Sequence, residues 1–324
     1  MTEGSIFQKI LFFSIPLILG NLLQQLYNTA DSIMVGNFVG SNALAAVGAS
    51  SSMIYLLIAF SQGAAVGAGV IVAQYLGAGD KKSVSDAVHT SLVIAGILGI
   101  VLTIAGIVLS RQLLEWMKTP EEVMEQAVTY FRLYSAGMFF GIVYNMAAGI
   151  LNAAGNSKRS LLYLAVASFT NIILDILFIA ILDMGVAGAA IATDISQAVS
   201  CILSMAFLMR VKDSYQVSLK KLKIHRRIAG SMIRVGLPTG IQNMVISLSN
   251  VLVQTSVNGF GAAAMAGYTA YLKVDGFNIL PVMSFSMAVT TFAGQNYGAG
   301  NYDRVKKGMY VTLAMGFVYT VLTG

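Results

Sequence analysis

Little in this 324-residue chain can carry covalent or metal chemistry. There is one cysteine, Cys201, so no internal disulfide can form and no thiolate metal site is indicated. Histidine occurs twice, tryptophan once and proline four times. There is no His-Glu-x-x-His motif, no Gly-x-Ser-x-Gly elbow and no P-loop, so the common signatures of zinc proteases, serine hydrolases and nucleotide-driven proteins are missing. No cofactor is expected, and the chain does not read as an enzyme. Charge is scarce as well. Asp, Glu, Lys and Arg make up 10% of the residues and hydrophobic residues 56%, whereas a soluble domain carries about 25% charge. A surface of this composition must largely face lipid. The net charge of +6 would suggest nucleic acid in a soluble protein. Here the basic residues sit in short loops between apolar stretches, where they act as orientation signals, and no nucleic-acid partner is expected. The first apolar segment is too long, and too polar in its second half, for a cleaved signal peptide; it reads as a retained span.

Stretches long enough to cross about 30 Å of hydrocarbon fall near 11–36, 51–76, 88–110, 124–150, 160–182, 186–209, 229–257, 265–297 and 305–324. They predict an all-α polytopic membrane protein with nine spans, the eighth kinked at Pro281. With the N-terminus cytoplasmic, all but Arg111, Lys118, Arg132 and Lys273 of the 20 basic residues lie in inner loops or at inner helix ends. The positive-inside rule therefore places the N-terminus in the cytoplasm. The longest inner loop, residues 210–228, carries the run Lys220-Lys221-Leu222-Lys223-Ile224-His225-Arg226-Arg227. It reads as a connector between an N-terminal unit (1–209, six spans) and a C-terminal unit (229–324, three spans), with anionic lipid headgroups as an alternative role.

The two units share sequence. Ala73-Gln74-Tyr75-Leu76-Gly77-Ala78-Gly79-Asp80 returns 221 residues later as Gly294-Gln295-Asn296-Tyr297-Gly298-Ala299-Gly300-Asn301. Each copy closes an apolar stretch and precedes basic residues. Pro16 and Pro238, 222 apart, each stand near the head of an apolar segment. Six spans separate the copies, an even number, so the repeats are expected to be parallel, related by an axis along the membrane normal. The second copy is expected to be incomplete at Gly324.

Against this apolar background three carboxylates stand out. A carboxylate within the bilayer costs at least ~2.5 kcal/mol and persists mainly where it faces a bundle interior or a wet cavity. Asp31 and Asp175 fall near the outer ends of the first and fifth spans, and Asp194 in the outer part of the sixth. At 1.5 Å per residue each lies roughly 8–12 Å below the outer boundary, which suggests one shared, outward-open cavity. Asn21, Gln24, Gln25, Asn28, Asp31 and Ser32 recur at spacings of three and four and form one polar stripe. Asn171 and Asp175, four apart, share a face, and Thr193 precedes Asp194. Crowded carboxylates repel, and burial penalises their charge, so such a cluster favours taking up a cation. Residue types leave two cations open: a proton, or Na⁺ held by Asp31, Asn171 and Asp175. The plainer role for each acid is a helix cap or a structural pair. His89 and His225 have no acidic partner at helical spacing within a span and are not expected to form a proton relay.

The run Pro16-Leu17-Ile18-Leu19-Gly20-Asn21-Leu22-Leu23-Gln24-Gln25-Leu26-Tyr27-Asn28-Thr29-Ala30-Asp31 resembles the start of the multidrug and toxic compound extrusion (MATE) family. Both Gly-Ala-Gly turns, Leu151-Asn152-Ala153-Ala154-Gly155-Asn156 and Tyr268-Thr269-Ala270-Tyr271-Leu272-Lys273 are similar to it too. The resemblance implies two parallel six-helix repeats and monomeric export of cationic, amphipathic small molecules in exchange for H⁺ or Na⁺ across a bacterial inner membrane. It places ion coupling on Asp31, Asn171, Asp175 and Thr193, with Asp194 beside them, and a coupled bend at Pro16. In the seventh span Asn243, Ser247, Asn250, Gln254 and Asn258 form a neutral stripe where some branches carry an acid. That is similar to the branch named after the DNA-damage-inducible protein of enteric bacteria, with coupling confined to the first repeat. Gln24, Asn28, Asn243, Asn250 and Gln254 are the candidate substrate-cavity residues. The alternative is a lipid-linked oligosaccharide flippase of the same superfamily, which should show a more cationic centre than these acids provide.

Overall fold

The computed structural model describes residues 1–258 and 262–323, with side chains described except at 251, 254, 255, 258, 262–270 and 272–274. Nine long α-helices account for most of it: α1 (Ile6–Met34), α2 (Ser41–Gly77), α3 (Lys81–Trp116), α4 (Glu121–Ala153), α5 (Ser157–Asp175), α6 (Gly185–Arg210), α7 (Arg226–Asn258), α8 (Ala262–Gly298) and α9 (Tyr302–Thr323). No strand occurs among the described residues. Among the described residues seven segments are long and apolar enough to cross a membrane: the whole of α1 to α6 and Asp275–Gly298 of α8. The sequence reading expected nine spans. In α7 a polar stripe dilutes the apolar run, and in α9 Arg304, Lys306 and Lys307 occupy the start of a 22-residue helix. The helices overrun the apolar stretches at both ends. The largest difference is α2, which begins at Ser41, because the small, serine-rich segment 41–52 is helical without being strongly apolar. Its Ser50 is buried and satisfied, donating to the carbonyls of Ala46 and Ala127. Pro16, Pro238 and Pro281 all lie inside helices that continue through them.

Polarity is arranged inside out, as lipid solvation demands. On α3 Ile97, Ile100, Val101, Ile104 and Val108 are exposed, a stripe at helical spacing. The opposite face is small: Gly99 abuts Phe139 and Gly106 abuts Ser135, both on α4. Helix association in lipid gains little from apolar burial and depends on close backbone approach. Helix α4 is the hub, packed against α2, α3 and α6.

Three connections share one turn. Gly79, Gly155 and Gly300 have φ of +70°, +79° and +76°. In each, the residue after the glycine donates its amide to a carbonyl five positions back: Asp80 to Tyr75, Asn156 to Leu151 and Asn301 to Asn296. This is the Schellman closure, whose left-handed position glycine fills without Cβ strain. After the first, Asp80 caps α3 by accepting from the Ser83 amide (3.1 Å) and hydroxyl (2.6 Å), and those bonds hold its carboxyl below the ordinary range.

The repeated octapeptides also touch each other. A methyl carbon built on Gly77 would overlap the carbonyl oxygen of Gln295, and one built on Gly298 would overlap the carbonyl oxygen of Gln74. Helices α2 and α8 therefore cross backbone to backbone at their basic ends, through equivalent residues of the two copies. Farther along α2, a methyl on Gly63 would come within 2.6 Å of the Gly236 carbonyl oxygen, so α7 packs there almost as closely. The counterpart seam between α1 and α8 packs Ile10, Phe13 and Leu17 against Ala288 and Phe292 and adds a polar contact, Asn21 donating to Ser284 at 3.0 Å.

The segment from Val211 to His225 folds back onto the basic end of α3. The Ser218 amide donates to His89 Nε2 at 3.0 Å, which leaves the His89 proton on Nδ1, 2.6 Å from the Ser85 carbonyl oxygen. The His225 amide donates to Thr90 Oγ1, and its ring lies 3.6 Å from Asp86. Tyr215 and Val217 are buried beneath it. Both histidines thus anchor the linker.

Candidate ion-coupling and substrate site

Helices α1 and α5 pack side by side, as do α5 and α6. Asp31 lies in the last turn of α1 and Asp175 is the final residue of α5. Each helix then widens into a π-helical turn, Val35–Val39 after α1 and Ile176–Ile181 after α5. Such turns disrupt the regular backbone ladder and often accompany functional sites. Nothing in the periodicity of either segment announced them.

The side chains converge as the helical faces imply. Asn171 and Asp175 are each 1% exposed, and Asp31 and Thr193 are buried as well. Asn171 Nδ2 donates to Thr193 Oγ1 at 3.5 Å, and that hydroxyl donates to the Ala189 carbonyl at 3.0 Å. Asp31 lies within electrostatic reach of Asp175. Among the described residues, Asp31 Oδ1, Asn171 Oδ1, both Asp175 carboxylate oxygens and Asp194 Oδ1 are buried without a hydrogen-bond partner. A buried acceptor left unpaired costs about 1–3 kcal/mol, more when charged. Two carboxylates and an amide oxygen so arranged have the acceptor chemistry to take a proton or a hard cation. No group of three or more His, Cys, Asp and Glu side chains forms a metal-ion cluster among the described residues.

Asp194 is placed differently from the other two acids. It is half-buried, and its carboxyl occupies the space where a methyl on Gly137 of α4 would stand. Gln197, one turn on, fits against Gly141 in the same way. The pair Gly137 and Gly141 thus forms a notch on α4 that receives two polar side chains of α6. Gly137→Ala fills that notch and is expected to destabilise the protein by about 1–3 kcal/mol through overpacking. The check is the unfolding midpoint in detergent, with Gly96→Ala as control because an added Cβ there meets nothing within 4 Å.

Two residues of α4 complete the cluster. Tyr130 lies within electrostatic reach of Asp31, Asp175 and Asp194 together, and its ring centroid is 6.0 Å from that of Tyr134. The Tyr134 hydroxyl accepts from Gln197 Nε2 at 3.2 Å. Sequence reasoning passed over both tyrosines, because nothing on α4 itself marks which residues face α1 and α5.

A cavity of about 80 Å³ lies beside this cluster, lined by Gln24, Tyr27, Gln62, Tyr134, Asn145 and Asn171 among others. None of the three carboxylates lines it; instead of facing a wide outward-open cavity, Asp31 and Asp175 are enclosed by helices. Of the candidate substrate residues, Gln24 reaches this cavity, Asn28 and Asn250 are exposed, and Asn243 is half-buried. The side chains of Gln254, Asn258 and Lys273 lie outside the described residues. Beyond Gly240, α7 exposes Val245, Ile246, Leu248, Leu252 and Val253.

The MatE family model matches residues 16–177 and 238–324. The chain is 33% identical over 304 residues to the probable multidrug resistance protein YpnP of Bacillus subtilis, an alignment covering 94% of this chain and 68% of that protein. It superposes with a TM-score of 0.92 on a MOP superfamily transporter from Pyrococcus furiosus, at 30% identity, over 98% of this chain and 71% of that one. A structure of a multidrug resistance MATE family transporter in an outward-facing conformation matches with a TM-score of 0.91, again at 30% identity over 98% and 71% of the two chains.

Proposed function

The chain belongs to the MatE family of multi-pass membrane transporters, and from that premise we propose that it is a secondary antiporter, exporting cationic amphipathic compounds in exchange for H⁺ or Na⁺. The supporting observation is the set of buried, unpartnered oxygens on Asp31, Asn171 and Asp175. In this reading the chain sits as a monomer in a bacterial inner membrane with its N-terminus in the cytoplasm. Residues 1–209 form one six-helix unit, 210–228 the linker and 229–324 part of a parallel second unit.

The cycle follows from charge competition. With the Asp31 end open to the outside, the ionised Asp31–Asp175 pair takes up H⁺ or Na⁺. Uptake satisfies the orphaned oxygens and removes the negative field that held a cationic substrate, which is released outward. Pro16 cannot donate to the Phe12 carbonyl, so α1 bends most easily there, and neutralising Asp31 shifts the balance between its conformers. The two units then rock to open the basic end. Loss of the ion restores the negative charge and the affinity for substrate. Ion and substrate draw on one field at different times, which supplies the differential affinity that exchange requires. Asn171 and Thr193 orient the acceptor oxygens, and Asp194 maintains negative potential from the α4 side.

Dye export from vesicles under separately imposed H⁺ and Na⁺ gradients tests this reading. Export should follow one of the two gradients and collapse when that gradient is dissipated. Export indifferent to both would sink the antiport assignment.

A further inference from the structure

At the basic end of the bundle a second cavity, of about 510 Å³, opens between the start of α1, the α4–α5 turn and the end of α8. Its lining includes Lys9, Phe12, Phe13, Ser157, Lys158 and Gln295, and no acidic side chain among the described residues. Neither lysine forms an ion pair among the described residues. The wall contains the first turn of α5, whose N-cap residue Asn156 makes no side-chain capping bond. The Arg159 amide donates to the Asn156 carbonyl, and the amides of Ser157 and Lys158 ahead of it present the positive end of the helix. Burial, with the Lys9 and Arg304 charges nearby, holds the Met1 amine below its ordinary range against the opposing pull of Glu3. Positive charge is in surplus here, and nothing in the transport cycle uses it. At the mouth Phe12 is 65% exposed.

We propose that this cavity binds a phosphate-bearing anion, supplied by the headgroup of an anionic phospholipid in the adjoining leaflet. The phosphate sits between Lys9, Lys158 and the first-turn amides of α5, while an acyl chain runs out over Phe12. The aromatic mouth favours a lipid over free phosphate, because only an amphiphile uses both parts of the site. Gln295 of α8, held by the Met1 amine (3.0 Å) and the Ala153 carbonyl (2.7 Å), walls the cavity behind the lysines of α1 and α5, so the occupant lies against both sides of the α1–α8 seam and stabilises the arrangement in which the basic ends are closed. The assignment uses the membrane reading but not the efflux reading, and its test is a binding measurement.

Full-chain protein in detergent is titrated with short-chain phosphatidylglycerol, short-chain phosphatidylcholine and inorganic phosphate, with thermal unfolding and native mass spectrometry as readouts. Phosphatidylglycerol should bind and raise the unfolding midpoint, and phosphatidylcholine should not. The exposed double variant Lys9→Gln/Lys158→Gln should bind phosphatidylglycerol about thirtyfold more weakly, the change expected for removing two basic contacts to an anionic lipid. Lys220→Gln/Lys221→Gln, in the linker, should bind as the parent does. Less than about a threefold loss in the cavity variant, or an equal loss in the linker variant, overturns the site. Inorganic phosphate reproducing the full effect of the lipid overturns the lipid as its source.

Discussion

Asp31→Asn should leave a protein that inserts and folds but no longer couples export to an ion gradient. The two halves of that result have one cause. Removing a carboxylate from the bilayer interior relieves a penalty of at least ~2.5 kcal/mol, so the variant should unfold no earlier than its parent. Yet an amide cannot take up a proton and presents one uncharged oxygen to a cation, so gradient-driven dye export should fall at least about tenfold, a deficit of roughly 1.4 kcal/mol or more. Asp175→Asn should behave in the same way, because the two carboxylates act on each other. Asp31→Glu keeps the charge and should retain part of the coupling. The decisive measurement pairs export rate with unfolding midpoint. Normal coupling in Asp31→Asn would remove Asp31 from the mechanism. Lost export accompanied by a collapsed midpoint would make it a structural residue.

Gly77→Val and Gly298→Val should each force the basic ends of α2 and α8 apart. The obstacle on either side is a backbone carbonyl, of Gln295 or of Gln74, and backbone cannot rotate out of the way as a side chain can. Overpacking of this kind typically costs about 1–3 kcal/mol, which is enough to shift a conformational balance by roughly five- to 150-fold. The predicted consequence is a population in which the basic end opens more readily, seen as faster labelling of a cysteine placed next to the crossing. The double variant gives the sharper measurement. Both substitutions break one contact, so their combined cost should be smaller than the sum of the two, by about 0.5 kcal/mol or more. Strict additivity would show that the two glycines act at separate places.

How much of this could be read in advance differs from element to element. The helices were legible because lipid requires long apolar runs, and the polar stripe from Asn21 to Asp31 was legible because helical spacing puts its members on one face. The Gly-Ala-Gly turns were legible as well, since the left-handed positions at Gly79 and Gly300 select glycine. The neighbours of each face were not. Periodicity says that Asp194 and Gln197 share a side of α6; it does not say that α4 supplies Gly137 and Gly141 to receive them. Tyr130, hidden among residues of an aromatic stretch, joins the acid cluster only through packing. The π-helical turns after Asp31 and Asp175 reflect local fit between helix ends, for which the residues involved carry no marker. His225 was weighed for partners on its own span, whereas its acid, Asp86, comes from α3, and His89 serves the Ser218 amide of a segment about 130 residues away.

The crossing of α2 and α8 has the form of an interface between two identical molecules. Residue i of one copy meets residue j of the other, and j meets i, as at the two-fold axis of a homodimer. A half-length chain carrying one such copy would present a patch complementary to itself and could close it with a twin. What a pair of twins could never do is differ. Asp31 in one would mean Asp31 in both, with two ion sites facing each other across the axis. Joining the copies in a single polypeptide releases that constraint. The contact keeps its symmetry, while the acids gather on one side and Val253, set opposite Asp31 by the 222-residue offset between Pro16 and Pro238, carries no charge.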